Sequence, residues 1–73
     1  MIIDKRPIVD ADEFSLIVHT NIDEDENIDI FLNGILSFTK IDIITIDGNK
    51  IYLDTSLDID FLLDDLIVMY NAS

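Results

Sequence analysis

The chain has 73 residues and no cysteine, and its sixteen acidic side chains against four basic ones give a formal charge of −12. This length allows one small domain, predicted over residues 1–73, with no disulfide framework. The charge disfavours direct binding to nucleic acid or to an anionic membrane surface, because both need clustered lysine and arginine.

The composition indicates a folded chain, although acidic chains of low hydrophobicity usually stay disordered. Here 49% of the residues are hydrophobic, with only two glycines and one proline. A core of this size is thin and has no covalent staple, so a homodimer is an expected aid to stability. Because no signal-peptide core and no apolar run of about 18 residues is found, a cytoplasmic location is expected.

The first half of the chain is predicted to hold a leader, a strand and a helix. Residues 1–12 are interpreted as an extended leader, in which Pro7 disfavours a central strand. The β-branched, apolar run 14–20 predicts a largely buried strand. Residues 27–39 fit a helix by their i, i+3, i+4 apolar spacing. They also fit a hairpin, because Asn33-Gly34 is a strong turn signal; the helix is the favoured interpretation.

The second half is predicted to be a hairpin followed by a closing helix. Two β-rich runs, 41–46 and 50–54, flank an Asp-Gly turn and predict the hairpin. Residues 57–71 are interpreted as a helix that is apolar nearly all round. Its second apolar stripe is assigned to a dimer or partner contact, with the N-terminal leader as the alternative cover. That stripe consists of Leu57, Phe61 and Val68.

Together these elements predict an α+β fold in the order strand, helix, strand, strand, helix. About three strands would form a small sheet, with both helices packed on one face.

No residue pattern points to catalysis, a cofactor or a dedicated metal site. Residues 23–27 begin like a calcium loop, but Ile28 stands where that loop needs glycine and Gly34 where it needs glutamate. His19 lies on the predicted buried strand, with no cysteine in the chain and no serine marked as a nucleophile, so its role is interpreted as structural.

The charge itself is the strongest functional signal. Carboxylates can take the place of phosphates in the basic groove of a nucleic-acid-binding protein, with salt-dependent binding. The leading hypothesis is therefore a non-catalytic inhibitor of such a protein, of the kind phages use against host defence nucleases, including anti-CRISPR proteins. The alternatives are an immunity protein or antitoxin for a basic toxin, and an accessory protein that docks through an apolar helix face. The acidic residues assigned to the partner surface are Asp10, Asp12, Glu13, Asp23, Glu24, Asp25, Glu26, Asp58, Asp60, Asp64 and Asp65.

Overall fold

The structure, a computed structural model, describes residues 1–54 and 65–73. Within these ranges the chain forms eight strands and one 3-10 turn, and it contains no α-helix. The predicted α+β fold is therefore wrong, and the described chain is all-β. The strands are β1 (Ile2–Lys5), β2 (Ile8–Asp10), β3 (Ser15–Ile17), β4 (Asp29–Leu32), β5 (Ile35–Thr39), β6 (Ile43–Asp47), β7 (Lys50–Leu53) and β8 (Leu66–Tyr70), with the 3-10 turn at Lys40–Asp42.

The strands form two antiparallel four-stranded sheets. Sheet A has the order β1-β8-β4-β5, and sheet B has the order β2-β3-β7-β6. The chain passes from one sheet to the other at Arg6-Pro7, so residues 1–12, predicted as a leader, supply one strand to each sheet. Pro7 lies between the two strands, where no ladder hydrogen bond needs its missing N–H.

One hydrophobic core joins the two sheets. Leu16 and Ile51 are cross-strand partners in sheet B, and Ile30 and Val68 are partners in sheet A. All four side chains are fully buried. Because side chains alternate along a strand, each sheet turns one apolar face inward, while outward positions still include exposed apolar side chains such as Ile3 and Ile44.

The 27–39 segment is a hairpin, and the favoured helix is wrong. β4 and β5 pair through Leu32 and Ile35, with Asn33-Gly34 as the two-residue turn. Asn33 has φ 53° and Gly34 has φ 82°, as a type I′ turn requires and a right-handed helix does not allow. The two-residue turn shifts the phase of the strand alternation, and this shift produced the apparent helical spacing.

The predicted closing helix is also wrong where the structure describes it, because residues 66–70 form β8. Leu66, Val68 and Tyr70 are buried, and they alternate with half-buried Ile67 and Met69. β8 pairs with β1 on one side and β4 on the other. A strand that is hydrogen-bonded on both edges is often apolar throughout, and such a run cannot be distinguished from a buried helix by periodicity.

Two predicted elements agree with the strands. The 41–54 hairpin is present as β6 and β7, and β3 lies inside the predicted strand 14–20. Gly48 has φ 61° at the first turn position, where a II′ turn needs a residue that tolerates positive φ.

Replacing the turn glycines should destabilise the protein by different amounts. Gly34→Ala should lower the free energy of unfolding by about 1 kcal/mol, because alanine is strained at this positive φ. A Cβ at Gly34 meets nothing within 4 Å, whereas one at Gly48 lies 3.3 Å from Asn21 Oδ1. Gly48→Ala should therefore be more damaging than Gly34→Ala when both are compared by urea unfolding. If the two variants lose the same free energy of unfolding, the contact with Asn21 does not affect stability.

Candidate functional site

Carboxylates gather at the end of sheet B formed by the β2–β3 turn. Asp10 Oδ1 accepts the backbone N–H groups of Asp12 at 3.0 Å and Glu13 at 3.3 Å. These bonds close the turn and leave the Asp12 side chain exposed. Lys50 Nζ lies 2.6 Å from Glu13 Oε2, and this hydrogen bond is the main reason why the pKa of Lys50 is raised above its usual range.

The ends of β6 and β7 bring two further carboxylates to the same place. Ile43 pairs with Leu53, so Asp42 and Asp54, the next residues outward, lie at the same end of neighbouring strands. The Leu53 N–H donates to the Phe14 carbonyl at 2.9 Å. This bond sets the β2–β3 turn beside Asp54.

The densest acidic run, residues 23–26, lies along the outer side of β6. Asp23 Oδ1 accepts the Asp25 N–H at 3.0 Å, and the Asp23 N–H donates to the Asn71 carbonyl at 2.8 Å. Glu24 shares a depression of about 260 Å³ with Lys40 and residues 43–46. The run is thus fixed beside an edge strand.

We call this set of carboxylates the acidic rim. It brings together segments that are far apart in sequence, along the β6 edge of sheet B and around the end of the sheet where the β2–β3 turn lies beside Asp54. Its members are Asp10, Asp12, Glu13, Asp23, Glu24, Asp25, Glu26, Asp42 and Asp54.

Two isoleucines stand among these carboxylates without cover from the described chain. The side chain of Ile41, in the 3-10 turn, is 91% exposed, and that of Ile44, in β6, is 63% exposed. Ile44 lines the same depression as Glu24. Apolar groups surrounded by charge are the usual composition of a protein-binding surface.

Other residues that the sequence assigned to the site lie elsewhere. Asp65 is beside the β4–β5 turn, where its N–H donates to Asn33 Oδ1 at 2.9 Å. Val68 is in the core with none of its surface exposed, so it is not available to a partner. Asp58, Asp60, Asp64, Leu57 and Phe61 lie outside the described residues.

A second polar cluster, centred on Asp4, was not predicted. Asp4 is only 5% exposed. Its Oδ2 accepts the Tyr70 hydroxyl at 2.6 Å and the His19 N–H at 3.0 Å, and its Oδ1 lies 2.6 Å from His19 Nδ1. Thr20 completes the cluster, with its Oγ1 3.0 Å from the Tyr70 hydroxyl.

The environment of Asp4 favours its charged form. Burial raises the pKa of Asp4, but the hydrogen bonds from Tyr70 and His19 outweigh burial and hold the pKa below its ordinary value of 3.8. Burial and the bond to Asp4 raise the pKa of Tyr70. The cluster therefore pairs an anionic Asp4 with a neutral Tyr70 on neighbouring strands of sheet A, and it ties them to His19 and Thr20, which follow β3 of sheet B.

The sequence predicted His19 on a buried strand, and this prediction is wrong. It follows β3, and its side chain is 74% exposed. The contact with Asp4 fixes the ring and leaves Nε2 as the nitrogen that Asp4 does not occupy. No sequence signal links residues 4, 19 and 70, because only the strand pairing brings them together.

Comparison with known proteins gives no relative: no protein-family model, no curated protein and no solved structure matches the chain. Over residues 1–54 and 65–73, no group of three or more potential metal-ligating side chains is found. In the same ranges, no helix is long and apolar enough to cross a membrane.

Proposed function

We propose that the protein is a non-catalytic binding protein whose acidic rim docks on the basic surface of a nucleic-acid-binding protein and competes with nucleic acid for it. The observation that supports this proposal is the assembly of separate acidic segments along one side and end of sheet B. An evenly distributed solubilising charge would not need to be gathered by strand register. The proposed setting is the cytoplasm, where such partners are abundant.

Glu13 is paired with Lys50. The nine carboxylates of the rim nevertheless keep a strongly negative charge, because the whole chain has only four basic side chains. A surface of this kind attracts a basic partner over roughly 10 Å at about 0.1 M salt, and less at higher salt.

The exposed isoleucines support the same surface. Charge steers the encounter of two proteins, but apolar contact at the centre of an interface supplies much of the affinity. Ile41 and Ile44 stand where the rim could surround such a contact. A partner that stays fully bound at high salt would depend mainly on these apolar contacts, which is the behaviour expected of the alternative, an accessory protein acting through an apolar surface.

Neutralising two rim residues should weaken partner binding more than the same charge change elsewhere. The variant Glu24→Gln with Glu26→Gln keeps the hydrogen bond between Asp23 and the Asp25 N–H, and it makes the net charge two units less negative. Asp65→Lys adds the same two units beside the β4–β5 turn and serves as the control. We expect the double variant to bind roughly tenfold or more weakly at low salt, and the control to bind like the wild type.

The measurement is affinity capture from a lysate of the source cells at low and high salt, followed by titration of the captured protein with each variant. A competition assay then asks whether the wild type displaces nucleic acid from that protein. Equal losses in the two variants would contradict a localised rim. Binding without displacement would contradict competition with nucleic acid.

A further inference from the structure

The few basic groups of the chain include a pair at the corner between β1 and β2. Lys5 ends β1, and Arg6 follows it. The Arg6 N–H donates to the Leu66 carbonyl at 3.1 Å, which holds the corner against sheet A. Among the described residues, which include thirteen of the sixteen carboxylates, Arg6 forms no ion pair.

The backbone at Arg6 is strained. Its φ is 58°, a conformation that favours glycine or asparagine and costs other residues about 1 kcal/mol or more. Pro7 follows directly and restricts Arg6 further. Arg6 thus has a long cationic side chain in a backbone conformation that smaller residues prefer, and residues in such conformations cluster at ligand sites.

His19 lines the same groove as Arg6. Asp4 orients the imidazole ring of His19, because its carboxylate accepts the His19 backbone N–H and lies within hydrogen-bond distance of Nδ1. Asp4 is the acidic residue nearest to Arg6 in sequence, but its two oxygens are occupied by His19 and Tyr70. Asp65 precedes Leu66 and forms no ion pair with Arg6.

Arg6 and His19 line a groove with apolar walls. The groove has a volume of about 80 Å³, and its other lining residues are Ile8, Ile17 and Val18. Ile8 and Ile17 are cross-strand partners on β2 and β3, and Val18 closes the core side with only 2% exposure. This volume accepts a small acid group, since a water molecule takes about 30 Å³ in the liquid, and an alkyl part would extend over Ile8, whose side chain is 68% exposed.

We propose that this groove binds an aliphatic carboxylate, with the acid group against the Arg6 guanidinium beside the His19 ring and the alkyl part against the two isoleucines. The planar guanidinium matches a carboxylate in a bidentate manner. A singly charged acid suits this protein better than a phosphate, because each further negative charge is repelled by the net charge of −12. The source is either a free short-chain acid or the C-terminal residue of a peptide.

Titration of the isotope-labelled protein with isovalerate, followed by NMR, tests the site. We expect saturable shifts at the His19 backbone amide, the Arg6 side chain and the methyl groups of Ile8 and Ile17. Isovaleramide has the same shape without the charge and should produce no saturable shifts there. If the amide binds as tightly as the acid, or if neither isovalerate nor a peptide with a free C-terminal leucine binds, the proposal is wrong.

Arg6→Asn is the decisive variant, because asparagine tolerates positive φ and replaces the cationic side chain with a short neutral one. Its fold, checked by urea unfolding, should be as stable as the wild type or more so, and its affinity for the acid should fall roughly tenfold or more. Lys5→Asn makes the same charge change beside the groove and should bind nearly normally. Undiminished binding by Arg6→Asn would overturn the assignment. Binding of free isovalerate identifies a small-molecule source, and binding of the peptide alone identifies a C-terminus.

Discussion

Val68→Asp is expected to abolish the folded state. Val68 is fully buried in β8, a strand paired on both sides, and its partner Ile30 is fully buried as well. An unpaired carboxylate there has no hydrogen-bond donor within the apolar core, so the loss should exceed about 4 kcal/mol. The whole stability expected for a domain of this size is about 4–11 kcal/mol.

Circular dichroism and urea unfolding would measure this effect. Met69→Asp is the matched control, because Met69 is the next residue of β8 and is only half-buried. It should keep the fold with a much smaller loss of stability. A folded Val68→Asp variant with an altered oligomeric state would contradict the strand and restore the helix that the sequence suggested.

Asp4→Ala should be the second most damaging change. It removes the acceptor of the Tyr70 hydroxyl and of the His19 N–H, leaving the hydroxyl buried with only Thr20 as a partner. We expect the free energy of unfolding to fall by about 3 kcal/mol. His19→Ala is the control and should cost less than about 1 kcal/mol, since that ring is mostly exposed. If both variants lose the same free energy of unfolding, the contact between Asp4 and the histidine ring supplies the stability of the cluster, and the bond to Tyr70 does not.

The difference in stability between wild type and Asp4→Ala should depend on pH in a defined direction. The folded state lowers the pKa of Asp4 below 3.8, so its stabilisation is complete above that pH and is lost as the pH falls through the lower, folded value. The pKa of Tyr70 is raised above 10.0, so its stabilisation is lost as the pH rises through that higher value. Urea unfolding of both proteins across the acidic pH range tests the prediction for Asp4. A stability difference that stays constant down to the lowest pH would contradict it.

The sequence predicted those strands that are marked by short local patterns, namely a turn dipeptide or a β-branched apolar run. The Asp-Gly turn identified β6 and β7, and the apolar run around Leu16 identified β3. The segment 27–39 carried two local signals, and the turn at Asn33-Gly34 prevailed because both residues adopt positive φ. β8 could not be predicted, because a continuous apolar run shows no polar–apolar periodicity that distinguishes a strand from a helix.

The candidate site was predictable only in part, for a similar reason. The acidic runs at 10–13 and 23–26 are visible in the sequence, but their placement beside Asp42 and Asp54 depends on strand register. The Asp4 cluster joins residues 66 positions apart. No local pattern encodes such a contact, and neither does any pattern place Arg6 beside His19.

The position of β8 has a consequence for how the protein folds during synthesis. It is the last strand in sequence order among the described elements, yet it lies between β1 and β4 in sheet A. Until residues 66–70 leave the ribosome, β1 has no partner and β4 has one open edge, which are surfaces prone to aggregation. The fold therefore has a high contact order, because sheet A is complete only when the β1–β8 pairing closes a loop that spans nearly the whole domain.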